Sequence, residues 1–321
     1  GFIGTNFINR CIKEGFKVYN VDILSLFNND NVISSKNYTF QKLDINNESK
    51  LFKILISFKP NRIINFAAET HVDFSIRNPA AFLNSNIIGT FKLLDAITKY
   101  KNSKHFENNI IFHQISTDEV FGSLSYNKQR QLFNEKSKYF PNSPYSASKA
   151  SADHLVRAWH KTHNIDYIIT YCSNNYGPFQ HPSKFIPKVI INNILQKKIP
   201  IYGNGKNIRD WIYVEDHVDA LFEITRRNIK NDYFSIGSNQ EKTNINVAKQ
   251  ICKTFDELNG FKNNEKLISF VEDRKGHDER YGLDTTKIRK ELNWLPKVDF
   301  EKGIYNTIKW YKKNQNWWKK I

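Results

Sequence analysis

Gly1-Phe2-Ile3-Gly4-Thr5-Asn6-Phe7 leads within a few residues to Gly15-Phe16-Lys17-Val18-Tyr19-Asn20-Val21-Asp22. Phe7, Ile8, Cys11 and Ile12 recur at helical spacing and form one apolar stripe, and Gly15 is a natural helix stop. Phe16–Asp22 then reads as a strand closed by an acid. A glycine turn, a helix and a strand ending in Asp make the back half of a dinucleotide-binding βαβ unit. In that reading Gly1, Phe2, Ile3 and Gly4 let the chain turn tightly and bring the helix N-terminus to a pyrophosphate. Asp22 accepts the hydroxyls of the adenosine ribose. Half of the fingerprint, with its strand, does not precede Gly1, and a turn with two glycines alone is equally the start of a capped surface helix.

The rest of the chain supports the first reading. Tyr38–Leu43 reads as a strand ending at Asp44, Glu48–Ser57 as a helix, and Arg62–Phe66 as an apolar strand running into Ala67-Ala68-Glu69. Asn84–Lys99 reads as one long helix, Asn109–Ile115 as a strand, Ser146–His163 as a helix and Asp166–Cys172 as a strand. Apolar strands alternating with helices predict an α/β fold: a doubly wound, mostly parallel Rossmann-type sheet. Its missing first strand should leave Val18–Asp22 and Ile63–Phe66 with open facing edges. Ala67 and Ala68 suit a strand end over which a flat cofactor lies close to the backbone. After Gly177 the alternation loosens, and short strands near Pro200–Tyr202, Asp232–Ile236 and Leu267–Val271 suggest a smaller α/β lobe. The expected division is 1–176 for the cofactor and 177–321 for the substrate, with 209–226 a candidate for return to the first lobe.

Composition narrows the function. A chain of 321 residues has material for about two domains. Forty-eight Lys and Arg against 32 Asp and Glu give a net charge of +16, but the lysines are spread along the chain without interleaved aromatics. A nucleic-acid partner is therefore not expected. No run of about 18 apolar residues and no charged-then-apolar leader is visible, so no membrane partner is expected. Three cysteines far apart exclude a disulfide scaffold or a Cys-based metal site and fit a reducing, cytoplasmic compartment.

Candidate chemistry sits in three places. Tyr145-Ser146-Ala147-Ser148-Lys149 puts Tyr145 and Lys149 on one helix face. A phenol is a weak base at neutral pH, and an adjacent ammonium together with a nicotinamide would favour the phenolate. Tyr145 could then accept a sugar hydroxyl proton while Lys149 holds the nicotinamide ribose; in isolation the pair also reads as a surface i,i+4 contact. Ser116-Thr117-Asp118-Glu119 follows a strand, where open parallel sheets place their ligands. Thr117 could donate to the same sugar oxygen. The two carboxylic residues beyond it suit a dehydration, one removing a proton beside a carbonyl and one protonating a departing hydroxyl. Helix capping or lysine pairing would explain them equally well. The third place is a set of cations, Lys184, Arg209, Arg274 and Arg280, with Asn174 and Asn239, suited to gripping a diphosphate.

At these residues the sequence resembles the dTDP-glucose 4,6-dehydratase family of extended short-chain dehydrogenases. The resemblance runs from Gly1 to about Tyr311. It is carried by Phe66-Ala67-Ala68-Glu69-Thr70-His71-Val72-Asp73, His113–Gly122, Ser143–Ala150, Cys172–Pro178, Arg209–His217 and Glu272–Asp278. Tyr-x-x-x-Lys and Asn-Asn-Tyr-Gly-Pro are shared with epimerases and decarboxylases of the superfamily; Thr-Asp-Glu is the discriminating piece. The resemblance implies a bound NAD and a nucleotide-diphosphate sugar, with C4 oxidation by Tyr145, Thr117 and Lys149. It implies loss of the C5 proton to Glu119, protonation of the leaving C6 hydroxyl by Asp118, and hydride return to C6. It further implies Asp44 and Ile45 at the adenine, His71, Asn174, Lys184 and Asn239 at the substrate, and Arg209 and Arg274 at its diphosphate. A homodimer is expected, pairing Asn84–Lys99 and Ser146–His163 in a four-helix contact. Phe74 stands where the family often has arginine. The alternatives are a UDP-glucose 4,6-dehydratase, a 4-epimerase or decarboxylase, or a non-catalytic nucleotide-sugar-binding chain.

Overall fold

A computed structural model describes residues 1–24, 32–127, 131–260 and 263–321. The chain begins with helix α1 (Phe2–Lys13), then strands β1 (Val18–Asp22) and β2 (Tyr38–Lys42) and helix α2 (Glu48–Phe58). Asn47 starts α2 by accepting the Lys50 N–H, which satisfies one of the free donors of its first turn. Strand β3 (Arg62–Asn65) leads into the short helices α3 (Val72–Arg77) and α4 (Pro79–Phe82), a π-turn over Leu83–Ile88, and α5 (Gly89–Lys101). The single helix expected over 84–99 is thus two pieces, and the first of them holds the buried polar Asn86, bonded to the Glu69 backbone and to Ser148.

Strand β4 (Ile111–Thr117) is buried along all seven residues. Helix α6 (Pro144–His163) follows, opened by Pro144 and by a reciprocal Ser143–Ser146 capping box. Strands β5 (Asp166–Cys172) and β6 (Asn174–Tyr176) complete the first part. Beyond them come α7 (Phe185–Leu195), β7 (Ile199–Tyr202), β8 (Ile208–Tyr213) and α8 (Val214–Arg226). The chain ends through β9 (Asp232–Ile236), β10 (Glu241–Thr243), α9 (Asn244–Asn259), β11 (Ile268–Val271), α10 (Thr286–Leu292), α11 (Phe300–Lys313) and α12 (Gln315–Trp318).

The central sheet runs β3-β4-β5-β9, all parallel, with helices packed on it. β1 and β2 form a separate parallel pair. Among the described residues β1 pairs only with β2, and β3 only with β4, and both strands line one cleft. A second difference from expectation concerns Asp232–Ile236. It joins the central sheet beside β5, because a short run of apolar residues does not show which sheet supplies its partner.

One core lies on the α2–α5–α6 side of the sheet, around Leu94, Ile97, Phe112 and Tyr171. Another joins α1 and α8 to the opposite side through Phe7, Ile111, Val218 and Leu221. A third, around Ile190, Ile251 and Ile308, belongs to the later helices together with β7 and β8. The three cysteines are free and buried. Among the described residues no helix is long and apolar enough to cross a membrane, and no cluster of His, Cys, Asp and Glu is arranged to hold a metal.

Candidate active site

β4 delivers the reacting residues. Its last residue, Thr117, is extended and accepts the Glu119 N–H at 3.3 Å, which turns the chain into a 3-10 turn over Asp118–Phe121. Gly122 ends that turn at φ 85°, where a side chain would collide with the Phe140 carbonyl, so only glycine fits. Pro144 and the capping box start α6 so that its first turn presents Tyr145 to the same place, with Lys149 one turn on. Thr117, Glu119, Tyr145 and Lys149 all line a single cleft of about 1210 Å³. Asp118 is almost completely buried just behind it; its Oδ1 accepts from Thr117 Oγ1 at 3.3 Å, and its Oδ2 has no partner.

Burial dominates the electrostatics. It pushes the Asp118 carboxyl well above the usual carboxylate range, reinforced by Glu119. Glu119 is also raised by burial, an effect that Arg209 opposes. Tyr145 is raised well above an ordinary phenol, by burial first and by Glu119 second, while a hydrogen bond with Thr117 opposes the rise. The lowering expected from Lys149 is therefore not what the folded chain shows. The Lys149 ammonium donates to the Ile115 carbonyl at 2.6 Å, and burial lowers its own pKa.

Sequence reasoning missed the residues that hold this centre. Asp153, one turn after Lys149, accepts from Ser116 Oγ at 2.5 Å and Tyr139 OH at 3.2 Å; burial moves it to about 6, and Lys149 restrains the shift. Asn86 accepts the Glu69 N–H at 2.8 Å and donates to Glu69 O at 3.0 Å and to Ser148 Oγ at 2.8 Å, tying the strand-end loop to α6. Asn65 donates to Thr90 and Gln114 and accepts the Ala67 N–H at 3.2 Å. Asparagine inside an otherwise apolar stripe was the available signal for Asn86.

The remaining predicted residues mostly meet in the same cleft. Gly1, Phe2, Ile3 and Gly4 line it at the first turn of α1, which has no side-chain cap. Asp22, Asp44, Ile45, Ala67 and Ala68 line it at the ends of β1, β2 and β3. Asp22 accepts the Leu24 N–H at 2.9 Å and Asp44 the Asn46 N–H at 2.8 Å. Ile45 lies so close to Gly89 that a Cβ there would sit 2.6 Å from its Cδ1. An uncapped helix start, carboxylates at successive strand ends and small residues between them fit a dinucleotide.

A second group, His71, Asn174, Lys184, Arg209 and Arg274, lines another wall of the same cleft. His71 Nδ1 and Asn174 Oδ1 are buried without a partner. Lys184 donates to Thr70 O at 2.7 Å, and burial lowers its pKa to about 8. Arg274 is paired with Asp73 at 3.4 Å and lies over the Tyr202 ring. Arg209 stacks on Tyr281, donating to the carbonyls of Ile208 at 2.7 Å and Asp278 at 2.9 Å. Tyr281 is itself hydrogen-bonded to Asp278.

Two expected members do not belong. Asn239 lies outside the cleft at φ 59°, its amide placed to donate to Leu283 O at 3.2 Å and accept from Arg289 at 2.6 Å. It is a left-handed turn residue, a conformation Asn tolerates. Arg280 is buried in a two-pronged ion pair with Glu241 at 2.6 and 2.7 Å, away from the cleft.

Comparison with known proteins finds sugar-nucleotide 4,6-dehydratases, and solved epimerases of similar fold beside them. The profile of a family described as GDP-mannose 4,6 dehydratase matches residues 1–307. A dTDP-glucose 4,6-dehydratase of Escherichia coli is 43% identical over 339 residues, covering 100% of this chain and 94% of its own. A dTDP-glucose 4,6-dehydratase of Bacillus anthracis str. Ames, solved in complex with NAD, superposes with TM-score 0.86 at 38% identity, covering 99% of this chain and 96% of that one. One from Streptomyces venezuelae, with NAD and TYD bound, superposes with TM-score 0.88 at 34% identity over the same shares.

Proposed function

The chain belongs to the dTDP-glucose 4,6-dehydratase family, and we propose that it converts dTDP-glucose to dTDP-4-keto-6-deoxyglucose and water. The observation that carries the reading is the convergence of Thr117, Glu119, Tyr145 and Lys149 on one cleft, with Asp118 directly behind. An epimerase or decarboxylase needs the tyrosine and lysine but has no use for two adjacent carboxylic groups beside them.

NAD is the cofactor, held by Gly1–Gly4 and the first turn of α1 at its pyrophosphate, Asp22 at the ribose, Asp44 and Ile45 at the adenine, and Ala67, Ala68 and Lys149 nearer the reacting end. When bound, it supplies a hydride acceptor that becomes the donor later in the same cycle. Beside the positive charge of bound NAD, which would offset the burial that raises it, Tyr145 would act as a phenolate and receive the C4 hydroxyl proton, while Thr117 donates to the same oxygen. The resulting ketone acidifies C5, and Glu119 removes that proton. Asp118, kept protonated by burial, protonates the C6 hydroxyl as it leaves. Glu119 then returns its proton to C5. In the same cleft, His71 and Asn174 hold the sugar, and Lys184, Arg209 and Arg274 the diphosphate.

The cofactor lobe extends to about residue 176 and the nucleotide-sugar lobe follows, with α8 and β9 packed on the first lobe. A homodimer through α5, α6 and the preceding π-turn is part of the same proposal, supported by the exposed Leu83 and Ile88 on that turn. Three unpaired cysteines support a cytoplasmic location.

Incubating the chain and NAD with dTDP-glucose or UDP-glucose, with mass analysis of the products, tests the reading. Loss of one water from dTDP-glucose is expected. Turnover without loss of mass would instead identify an epimerase, and preferential dehydration of UDP-glucose would overturn the nucleotide assignment.

A further inference from the structure

A buried ammonium stays charged only if something close by compensates it. Lys149 is 4% exposed, and its hydrogen bond to the Ile115 carbonyl at 2.6 Å is to a neutral acceptor. A neutral amine there would give Tyr145 no help in holding a phenolate. We propose that Asp153 is the positioning residue for Lys149, a fixed counter-charge that keeps the ammonium charged and in place beside Tyr145. Asp153 lies outside the cleft lining and so acts through Lys149. The inference deepens the dehydratase reading and rests on it for its catalytic meaning.

Residues four apart on a helix are neighbours on one face, so Asp153 stands one turn beyond Lys149 on α6. The two head groups meet consecutive residues of β4: Lys149 the Ile115 carbonyl, and Asp153 the Ser116 hydroxyl at 2.5 Å. The carboxylate is 1% exposed and is held from two sides. Its Oδ2 also accepts from Tyr139 OH at 3.2 Å, and Tyr139 OH is bonded in turn to Tyr171 OH at 2.7 Å. Its Oδ1 is buried and accepts no hydrogen bond among the described residues, which leaves one oxygen free to face a cation. The other groups that face the pair carry no charge. Cys172 faces Lys149 from β5, and burial pushes its thiol up to about 12. Tyr139 and Tyr171 face Asp153 as phenols that burial keeps neutral, and Gln114 of β4 faces it as an amide. The carboxyls of Asp118 and Glu119 act on Tyr145 and Cys172. Burial lowers Lys149 and Asp153 opposes it; burial raises Asp153 and Lys149 opposes it.

The test follows Lys149 itself in the ligand-free chain, by carbon NMR of lysine labelled at Cε, its resonance identified by its loss in Lys149→Arg. Asp153→Asn keeps the shape and an acceptor oxygen but removes the charge. It should lower the pH at which Lys149 loses its proton by about 1–3 pH units, the effect of an opposite charge at close range. Ser116→Ala, which removes the hydroxyl and keeps the charge, should leave that pH near the parent's. In the parent the same resonance should also register Asp153 taking its proton near pH 6, which decides the matter if a variant does not fold. With NAD and dTDP-glucose, Asp153→Asn should move the alkaline fall of kcat to lower pH by the same amount, with KM for dTDP-glucose near the parent's. An unmoved Lys149 titration in Asp153→Asn, an equal fall in Ser116→Ala, or a parent resonance insensitive to pH near 6 overturns the counter-charge. A kcat lowered equally at every pH means that Asp153 serves packing alone, and the positioning role is wrong. If the parent chain leaves dTDP-glucose unchanged, the dehydratase reading falls, while the NMR titration still decides whether Asp153 holds the charge of Lys149.

Discussion

The two walls of the cleft are built by opposite means. On one, Thr117, Asp118, Tyr145 and Lys149 project from a fully buried strand and from the capped first turns of a helix of 20 residues. On the other, Lys184 precedes a helix and Arg274 lies in a loop, each already holding a partner of the chain's own: the Thr70 carbonyl and the Asp73 carboxylate. The first wall is rigid, and burial moves its proton affinities by large amounts. The second is exchangeable, its cations satisfied by weak contacts that a diphosphate can displace. Chemistry needs fixed proton carriers, whereas binding needs cations that are stable before the ligand arrives. Substitutions on the first wall should therefore change rate, and on the second affinity.

Tyr145→Phe should break the first wall most severely. Without the phenol no group accepts the C4 proton, and kcat should fall at least about 1000-fold, within the range for a lost acid–base group. Loss of the C4 hydrogen label measures it, and a near-parent rate would remove Tyr145 from the mechanism. Glu119→Gln should lower kcat about 100-fold. It should retain C4 oxidation while abolishing exchange of the C5 hydrogen with deuterated solvent. Normal exchange would show that Glu119 is not the base.

The second wall should respond in binding. Arg274→Ala should weaken dTDP by about 10- to 100-fold in calorimetric titration, the scale of a charged hydrogen bond of about 1.5–3 kcal/mol, with kcat little changed. A large kcat loss with unchanged affinity would erase the distinction between the walls. The smallest effect concerns pH. Lys184 titrates near 8, and its charged form is the one that attracts a diphosphate. Affinity for dTDP should thus be full below that value and decline by a few fold as pH rises through it, and Lys184→Arg should flatten the decline. A profile unaffected by Lys184→Arg would take Lys184 out of the anion site.

How much of this was legible in the sequence depended on whether the residue type decided the role. Tyr145 with Lys149, and Thr117 with Asp118 and Glu119, sit at strand and helix starts that periodicity locates well, and all five came together. Ala67 and Ala68, small residues at a strand end, were equally readable. The cation set was legible only in part. Arg274 and Arg280 look alike six residues apart, but Glu241, brought near by the antiparallel pairing of β10 with β8, claims Arg280. Asn239 looked like an amide for a sugar hydroxyl, yet it fills a left-handed turn, a demand that residue type alone does not distinguish. The upward shift of Tyr145 was not readable, since it depends on burial and on the closeness of the Glu119 carboxyl in the folded chain.

The π-turn over Leu83–Ile88 has a consequence for how this segment tolerates insertions and deletions. A π-turn is an α-helix carrying one residue too many, and removing one lets the helix revert to regular winding. That local gain would rotate everything on one side of the deletion by about 100° and draw it in by about 1.5 Å relative to the other. Asn86 could then no longer hold both the Glu69 backbone and Ser148 while Gly89 kept its close approach to Ile45. The extra residue is a phase shift, setting two faces of one helix to two different neighbours, so a single deletion here should be more damaging than most single substitutions.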